Sequence, residues 1–358
     1  MRSPSTGTVE DPLSAIFRAR RPGMFPGGTG QVEGLRMTQE FVHRPVMADE
    51  VVALLADVPP GLFVDATLGG GGHAAAVLDA SPGLRLVGVD RDADALAAAA
   101  TNLARFGDRV AALHHARFDR LPQLVTGPVS AVLLDLGVSS PQFDRPERGF
   151  SYRHEGPLDM RMDRTQRRTA ADVVNGADER ALSRLIAESG ERRFARRIAR
   201  ALVAGRPFET TTQVAEAVRD AIPAPARRTG GHPARRVFQA LRIAVNDELE
   251  VLGPTVDAAV AALAPAGRIV VLAYHSGEDR IVKDRLLEAA TGGCTCPPGL
   301  PCVCGATPLV RLLNRGARKP SAAEVAANPR SESARLRAAE RLPAPPEGGA
   351  GDDERRSP

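Results

Sequence analysis

Long hydrophobic segments are missing from this chain. Its 358 residues include no run of about eighteen apolar residues, which is the length that a membrane-spanning helix needs. Residues 1–40 also lack the apolar centre of a signal peptide. Neither a membrane-spanning helix nor export is therefore indicated, and we expect a cytoplasmic location.

A strong charge of either sign is missing too. The formal net charge is +4 and the pI is about 9.2. Such a mild excess permits a nucleic-acid partner without requiring one. The distribution of the basic residues is therefore more informative than their total.

A strand, a glycine loop and a helix follow one another early in the chain. An apolar run ends on Asp65, four consecutive glycines (69–72) follow, and an Ala-rich helix is predicted from Ala74 to Leu78. The next apolar run ends on Asp90, whose carboxylate can accept hydrogen bonds from both hydroxyls of a ribose. This order predicts a nucleoside-containing ligand.

The acid before the glycines favours one class of ligand. Dinucleotide enzymes wrap a G-x-G-x-x-G loop around a pyrophosphate, which the Asp65 carboxylate would repel. The same carboxylate suits the cationic amino-acid moiety of S-adenosylmethionine. The methyl donor is therefore preferred over NAD, with a nicotinamide oxidoreductase and a purely structural turn as the alternatives.

Apolar runs recur along the chain at the spacing of βαβ units. Their alternation with helical stretches predicts an α/β fold, with a parallel sheet covered by helices on both faces. The predicted strands are Leu62–Val64, Leu84–Val89, Val110–Leu113, Ala131–Leu134 and Arg268–Ala273.

Both ends of the chain differ in composition from its centre. Residues 1–40 and the tail are rich in Arg, Gly, Pro and Ser, and both are predicted to be disordered. Met37 directly precedes the first patterned segment. Met24 and Met37 are therefore alternatives to Met1 as the true start.

More than a hundred residues separate the fourth predicted strand from the fifth, and they are Arg-rich and patterned at helical period. This pattern predicts an inserted helical domain. Within it, the segment 192–200 places Phe194, Ile198 and Leu202 on one helix face and five arginines on the other. That basic face is either an ordinary solvated surface or a phosphate-contacting surface. Both readings stay open, and the second is supported by further basic residues: Arg227, Arg228, Arg235 and Arg236.

The fourth strand ends on Asp135 and is followed by polar residues. In an open α/β sheet the carboxyl ends of the strands face the ligand crevice, so Asp135 is expected to face the cofactor or its methyl acceptor. The acid-Pro-Pro-aromatic tetrapeptide of typical DNA amino-methyltransferases is absent. Ser139, Ser140, Pro141 and Gln142 could supply its polar contacts, or Ser-Ser-Pro could simply begin a helix.

Several ordered motifs between residues 41 and 341 make the chain resemble one family. They include His43-Arg-Pro-Val-Met47, the glycine loop ending in His73, Val89-Asp-Arg-Asp92, Leu134-Asp-Leu-Gly-Val-Ser-Ser-Pro-Gln142, Arg148-Gly-Phe-Ser151, Gly156-Pro-Leu-Asp-Met-Arg-Met-Asp163, Val237-Phe-Gln-Ala-Leu-Arg242 and Tyr274-His-Ser276. The family is that of the bacterial 16S ribosomal RNA cytosine-N4 methyltransferases, the small-subunit methyltransferase H (RsmH/MraW) family.

The resemblance implies a fold and a reaction. It implies a class I S-adenosylmethionine-dependent methyltransferase with a Rossmann-like sheet and an inserted helical domain. The methyl group would pass to N4 of a cytidine in the decoding (P-site) region of 16S rRNA. The implied organisation is a core formed by residues 41–143 and 233–341, an Arg-rich substrate-recognition insertion at 144–232, and disordered ends at 1–40 and 342–358.

The resemblance also implies the cofactor contacts. Asp90 would bind the ribose and Phe118 would form an apolar wall for the adenine, while Asp135 and Gln142 would be polar contacts near the sulfonium and the acceptor. Asp135 is also the candidate acceptor for the amine proton. The contacts from the glycine loop would be Gly71, Gly72 and His73.

His275 follows the fifth strand on the crevice side and is a second catalytic candidate, although a hydrogen-bonded structural histidine is an equal alternative. The chain departs from the family at Gly277, where a leucine is usual, which leaves the local backbone rigidity open. His232 is ambiguous in the same way and could contact the substrate.

The chain has four cysteines, and all of them lie in one Pro-rich segment, Cys294-Thr-Cys-Pro-Pro-Gly-Leu-Pro-Cys-Val-Cys304. Four thiolates could close a tetrahedral structural zinc site. The alternatives are a reduced, metal-free loop and, less favoured in a cytosolic protein, a disulfide. The candidate ligands are Cys294, Cys296, Cys302 and Cys304.

Two further functions remain open beside the leading prediction. One is a methyltransferase that acts on another RNA or DNA amine, and the other is an S-adenosylmethionine-binding ribosome assembly factor without turnover. The expected partner is 16S rRNA within the small ribosomal subunit or a late assembly intermediate, with no membrane. The oligomeric state cannot be predicted from one sequence.

Overall fold

The computed structural model describes residues 45–227, 232–297 and 303–343. The predictions for residues 1–40 and 344–358 lie outside these ranges. Within them, no helix is both long and apolar enough to span a membrane. The strands are β1 (Gly61–Asp65), β2 (Leu84–Asp90), β3 (Val110–His115), β4 (Val129–Asp135), β5 (Leu263–Ala273), β6 (Val310–Leu312) and β7 (Arg335–Arg341).

The helices lie between and after these strands. They are α1 (Ala48–Leu55), α2 (Gly72–Ala80), α3 (Ala93–Leu103), α4 (Leu121–Leu124), α5 (Ser140–Asp144), α6 (Ala170–Gly176), α7 (Glu179–Glu188), α8 (Ala195–Ala204), α9 (Thr211–Ala221), α10 (Ala224–Arg227), α11 (Ala234–Asn246), α12 (Glu248–Ala262), α13 (Ser276–Thr291) and α14 (Ala322–Ala327).

The strands form one sheet in the order β3-β2-β1-β4-β5-β7-β6. The first five strands are parallel, and β7 pairs antiparallel with both β5 and β6. This confirms the predicted Rossmann-like sheet, because each predicted strand lies within an observed one. The sequence analysis did not predict β6 and β7, whose short or charge-alternating segments are weak strand signals.

Alternation along the strands buries both faces of the sheet. On β2, Leu84 and Leu86 pack into a cluster with α1, α2 and α3, while Val87 and Val89 pack into the opposite cluster with α12 and α13. Successive side chains of a strand point to opposite faces, so a strand with apolar residues at both odd and even positions must be covered on both sides. The sheet is therefore a central layer between helices.

The helices between β4 and β5 have a hydrophobic cluster of their own. It is formed largely by α6, α7, α8, α9 and α11. Helix α8 begins at Ala195, and it buries Ile198 and Leu202 as the helical period predicts. Phe194 precedes the helix and packs against the same cluster. Helix α11 also packs against this cluster, although it begins after residue 232, where the predicted insertion ends. The predicted division into core and insertion stays a prediction.

Candidate active site

Three acidic residues stand at the carboxyl ends of three adjacent parallel strands. Asp65 ends β1, Asp90 ends β2 and Asp135 ends β4. The strand order reverses between β1 and β4, and ligands of open α/β sheets bind at such a switch point. The fold therefore brings together the three acids that the sequence singled out.

Asp65 is the most deeply buried of the three, with 1% of its surface exposed. The Thr67 N–H donates to its Oδ1 over 3.2 Å. Burial, helped by the neighbouring charges of Asp135 and Asp90, raises its pKa to about 8 against the opposing effect of that hydrogen bond. A cation placed in this crevice would lower that pKa again. The crevice thus has the electrostatics of a site for a positively charged ligand.

Asp90 anchors the glycine loop to the end of β2. Its Oδ2 accepts a hydrogen bond from the Gly69 N–H at 2.7 Å, and its Oδ1 accepts one from the Asp92 N–H at 2.8 Å. Burial raises the pKa of Asp90, and these two hydrogen bonds oppose that rise. The carboxylate is held in one orientation, as a ribose-binding acid must be.

The four loop glycines divide into two pairs. A Cβ on Gly71 would lie 3.0 Å from Leu103 Cδ1, and one on Gly72 would lie 2.7 Å from Pro45 Cγ. Packing against the protein therefore explains this pair. A Cβ on Gly69 or Gly70 would meet no described atom closer than 3.9 Å. A ligand could therefore approach the backbone at Gly69 and Gly70. These two residues directly precede the predicted loop contacts, Gly71 to His73.

Asp135 is held by groups from three other segments. The Tyr274 hydroxyl donates to its Oδ1 over 2.8 Å, and His73 Nδ1 lies 3.4 Å from its Oδ2. The Asp135 N–H donates to Thr67 Oγ1 at 2.5 Å. Burial and the nearby Asp135 charge raise the pKa of Tyr274 well above its ordinary value. The phenol therefore stays protonated and remains a donor to the carboxylate.

His73 is buried and connects Asp135 to the segment before α1. Its Nε2 lies 2.9 Å from the Val46 carbonyl oxygen, which can only accept, so Nε2 carries a proton. His73 therefore connects Asp135 to the backbone of the segment before α1.

Gln142 supports the site through Asp92. Its Nε2 donates to Asp92 Oδ2 at 2.8 Å, and its Oε1 accepts from the Ser139 N–H at 3.0 Å. Arg148 Nη1 pairs with the same Asp92 oxygen at 2.8 Å, and both partners are buried. Asp92 in turn donates its N–H to Asp90. A hydrogen-bonded path thus connects the predicted ribose acid to Gln142 and Arg148.

The other predicted residues lie at the same edge in different settings. Phe118 follows β3 in a short 3-10 turn and packs, partly buried, against the sheet's hydrophobic cluster. Ser139 caps α5 in a capping box with Gln142. This agrees with the alternative in which Ser-Ser-Pro begins a helix. The structure therefore gives Ser139 and Gln142 a local role that is independent of any ligand.

His275 caps helix α13. Its Nδ1 accepts from the N–H groups of Gly277 and Glu278, and its Nε2 lies 3.1 Å from Glu278 Oε1. Glu278 is buried, and its hydrogen bond to His275 helps to lower its pKa against the effect of burial. An added Cβ on Gly277 would crowd the His275 ring at 3.1 Å. Nδ1 is thus occupied within the helix cap, whereas the buried Nε2 approaches Glu278 Oε1 without forming a well-aligned hydrogen bond.

Three of the four predicted metal ligands are described and lie apart from these acids in sequence, between α13 and β6. Cys294, Cys296 and Cys304 hold their sulfur atoms within 4.8 Å of one another. Cys302 lies outside the described residues. None of these three forms a disulfide.

Sequence reasoning missed the supporting residues. Tyr274 and Arg148 belong to motifs that were recognised, yet no role was assigned to either. A signal was available for Tyr274, because the chain has only two tyrosines and this one follows a central strand. For Arg148 and Asp92 there was no such signal, because their pairing depends on residues 56 positions apart meeting in the fold.

Comparison with known proteins agrees with this geometry. The model of the MraW methylase family matches residues 40–342. The chain belongs to the MraW methylase family. Its sheet, with an antiparallel β7 between β5 and β6, is that of a class I S-adenosylmethionine-dependent methyltransferase, as predicted.

Close relatives span nearly the same length. A ribosomal RNA small subunit methyltransferase H of Thermobifida fusca is 54% identical over 85% of this chain and 94% of its own. The protein of that name from Symbiobacterium thermophilum is 52% identical over 85% of this chain and 98% of its own. Among solved structures, the similarity is much lower. An rRNA methylase from Streptococcus thermophilus is 14% identical, with a TM-score of 0.33, over 83% of this chain and 94% of its own.

Proposed function

We propose that this methyltransferase transfers a methyl group from S-adenosylmethionine to the exocyclic N4 amine of a cytidine in the decoding (P-site) region of 16S rRNA, in the cytoplasm. The observation that carries the proposal is the position of Asp135. It ends the strand at the switch point of the sheet, and the Tyr274 hydroxyl and His73 hold it in place. The names of the close relatives support a ribosomal RNA substrate.

The crevice fits the methyl donor. Three carboxyl groups at one edge suit its cationic amino-acid and sulfonium groups, and the open backbone at Gly69 and Gly70 gives it room. Asp90 would hold the ribose hydroxyls, with Phe118 against the adenine and the loop from Gly71 to His73 beside the methionine moiety. Gln142 would act by holding Asp92, which orients Asp90. When bound, the donor supplies a methyl group that its sulfonium already activates.

Catalysis would consist mainly of positioning the acceptor. The lone pair of cytosine N4 is delocalised into the ring, so correct orientation of the amine is worth up to about 7–11 kcal/mol. Asp135 would accept a hydrogen bond from the amine and then its proton. Tyr274 stabilises the Asp135 carboxylate in the required orientation. His275 would maintain the start of α13 and thereby the position of Tyr274.

The helical region offers a surface for RNA. The five arginines from Arg192 to Arg200 are all exposed; Glu179 lies 3.9 Å from Arg196 and 3.7 Å from Arg200, which leaves the face predominantly basic.

The rings of Tyr152 and His232 stack with their centroids 4.6 Å apart. Burial and the charges of Arg153 and Arg219 lower the pKa of His232, which favours a neutral ring. Unstacked bases bind such aromatic platforms.

The deciding experiment combines the purified protein, labelled S-adenosylmethionine and small ribosomal subunits that lack the modification. Digestion and mass spectrometry should identify N4-methylcytidine. Asp135→Asn should abolish the label while Asp144→Asn, an exposed carboxylate on α5, should not. Label in another nucleoside would reject the N4-cytidine assignment. Tight binding of the donor without any label would favour an assembly factor without turnover.

A further inference from the structure

The segment between α13 and β6 brings three thiols together at the end of a long helix. Helix α13 ends at Thr291, and the Cys294 N–H donates to the Thr291 carbonyl. Cys304 approaches from the other side of the segment, and its Sγ lies 3.5 Å from Cys294 Sγ. The fold therefore brings together the sulfur atoms of two residues ten positions apart.

The sulfur separations match a single tetrahedral metal ion. With Zn–S bonds of about 2.3 Å, two thiolates of a tetrahedral site lie about 3.8 Å apart. The sulfurs of Cys294, Cys296 and Cys304 all lie within 4.8 Å of one another, which brackets that value. A disulfide needs about 2.05 Å, and an iron–sulfur cluster would hold its cysteines farther apart.

The described thiols are not part of the hydrophobic core. Cys294 and Cys296 are half-buried and Cys304 is exposed, and Val303 next to Cys304 is 89% exposed. Beyond the cysteines the segment is tied to the fold by the Leu309 N–H, which donates to the Ala289 carbonyl. A loop with so little buried apolar surface needs another source of order, and metal binding can supply it.

We propose that Cys294, Cys296 and Cys304 bind one structural Zn²⁺ ion that ties the end of α13 to the segment leading into β6. Soft thiolate ligands select zinc over magnesium or calcium. The three thiols follow a helix and not the carboxyl end of a parallel strand, where ligands of such sheets bind, so the ion stabilises the segment and takes no part in methyl transfer.

The test is metal analysis of the full chain, purified with reductant and without a metal-affinity tag. We expect about one zinc ion per chain. Cys294→Ser and Cys304→Ser should each weaken zinc binding by more than about tenfold, since even the loss of a supporting contact costs that much. Val303→Ser places the same new side chain beside Cys304 without removing a thiol, and it should retain the metal.

Cobalt substitution provides a second readout that is independent of activity. Co²⁺ in place of zinc should give the intense thiolate-to-cobalt absorption of a tetrahedral sulfur site, and both cysteine variants should lose it. Limited proteolysis should then cut residues 292–308 faster after chelation. Protein without zinc that also fails to bind added zinc or cobalt would overturn the proposal, as would a Cys294–Cys304 disulfide in the purified chain.

Discussion

The Tyr274 hydroxyl donates a hydrogen bond to Asp135 Oδ1 over 2.8 Å, so the residue after β5 holds the last residue of β4. Adjacent parallel strands place their carboxyl ends side by side, which explains how two residues 139 positions apart can meet. The phenol remains protonated because burial and the Asp135 charge raise its pKa. A neutral donor beside the carboxylate fixes its orientation without neutralising it.

Tyr274→Phe should therefore lower kcat and leave the affinity for S-adenosylmethionine almost unchanged. Loss of one hydrogen bond to a charged group corresponds to roughly ten- to a hundredfold in rate. Single-turnover methyl transfer and donor binding by calorimetry would measure the two effects separately. Tyr152→Phe, the same change at the chain's other tyrosine, is the matched control and should keep full single-turnover activity. An unchanged kcat in Tyr274→Phe would show that the hydroxyl has no part in the reaction.

Asp65 makes the stability of the ligand-free protein depend on pH. Its folded-state pKa of about 8 lies above the ordinary aspartate value of 3.8, so the folded state keeps a proton that the unfolded state loses. Stability should fall as the pH rises from about 4 to about 8, by up to several kcal/mol. Asp65→Asn removes this pH-dependent fall in stability. The melting temperature of the variant should therefore rise relative to that of the wild type as the pH increases.

Thermal unfolding of both proteins without donor, at several values of pH across that window, is the measurement. Saturating S-adenosylmethionine should reduce the difference, because a cation in the crevice favours the ionised carboxylate. A difference in melting temperature that stays constant with pH would contradict the raised pKa.

Arg148 and Asp92 form a buried ion pair, with the two side chains only 4% and 5% exposed. Arg148 also donates to the carbonyl oxygens of Arg161 and Met162. Arg148→Ala would leave the Asp92 charge buried without its partner, which costs about 3–5 kcal/mol. We expect a fall in Tm of roughly 5–15 °C. Arg145→Ala breaks a neighbouring but half-exposed pair with Asp94 and should cost no more than about 1 kcal/mol; equal losses in the two variants would refute the argument.

The stacked pair of Tyr152 and His232 and the basic face of α8 should contribute to RNA binding in different ways. Tyr152→Ala should weaken binding by about 1–3 kcal/mol at any salt concentration, because stacking is not electrostatic. Tyr152→Phe keeps the ring and should bind normally.

Replacing Arg196 and Arg200 with Gln should instead lower the slope of log affinity against log salt by about 1–2. Binding titrations with a small-subunit RNA fragment at several salt concentrations would separate the two, and a salt slope unchanged by the arginine changes would remove α8 from the interface.

The order of strands and helices along the chain around the site follows from the sequence alone. Apolar runs ending on Asp65, Asp90 and Asp135 were sufficient, because a parallel sheet aligns its carboxyl ends wherever the chain enters it. The helical period likewise predicted the buried face of α8. The motifs identified the family, whose model matches nearly the whole described region.

The groups that hold those acids, and the glycines that face open space, depend on how distant parts of the chain pack together. Tyr274, His73 and Arg148 act on residues far away in sequence, and no local pattern encodes such contacts. Gly71 and Gly72 are required by Leu103 and Pro45, residues whose proximity depends on how α1 and α3 pack beside α2. Strand β7 was missed for the same reason, because its pairing with β5 and β6 depends on the assembled sheet and not on its own charged sequence.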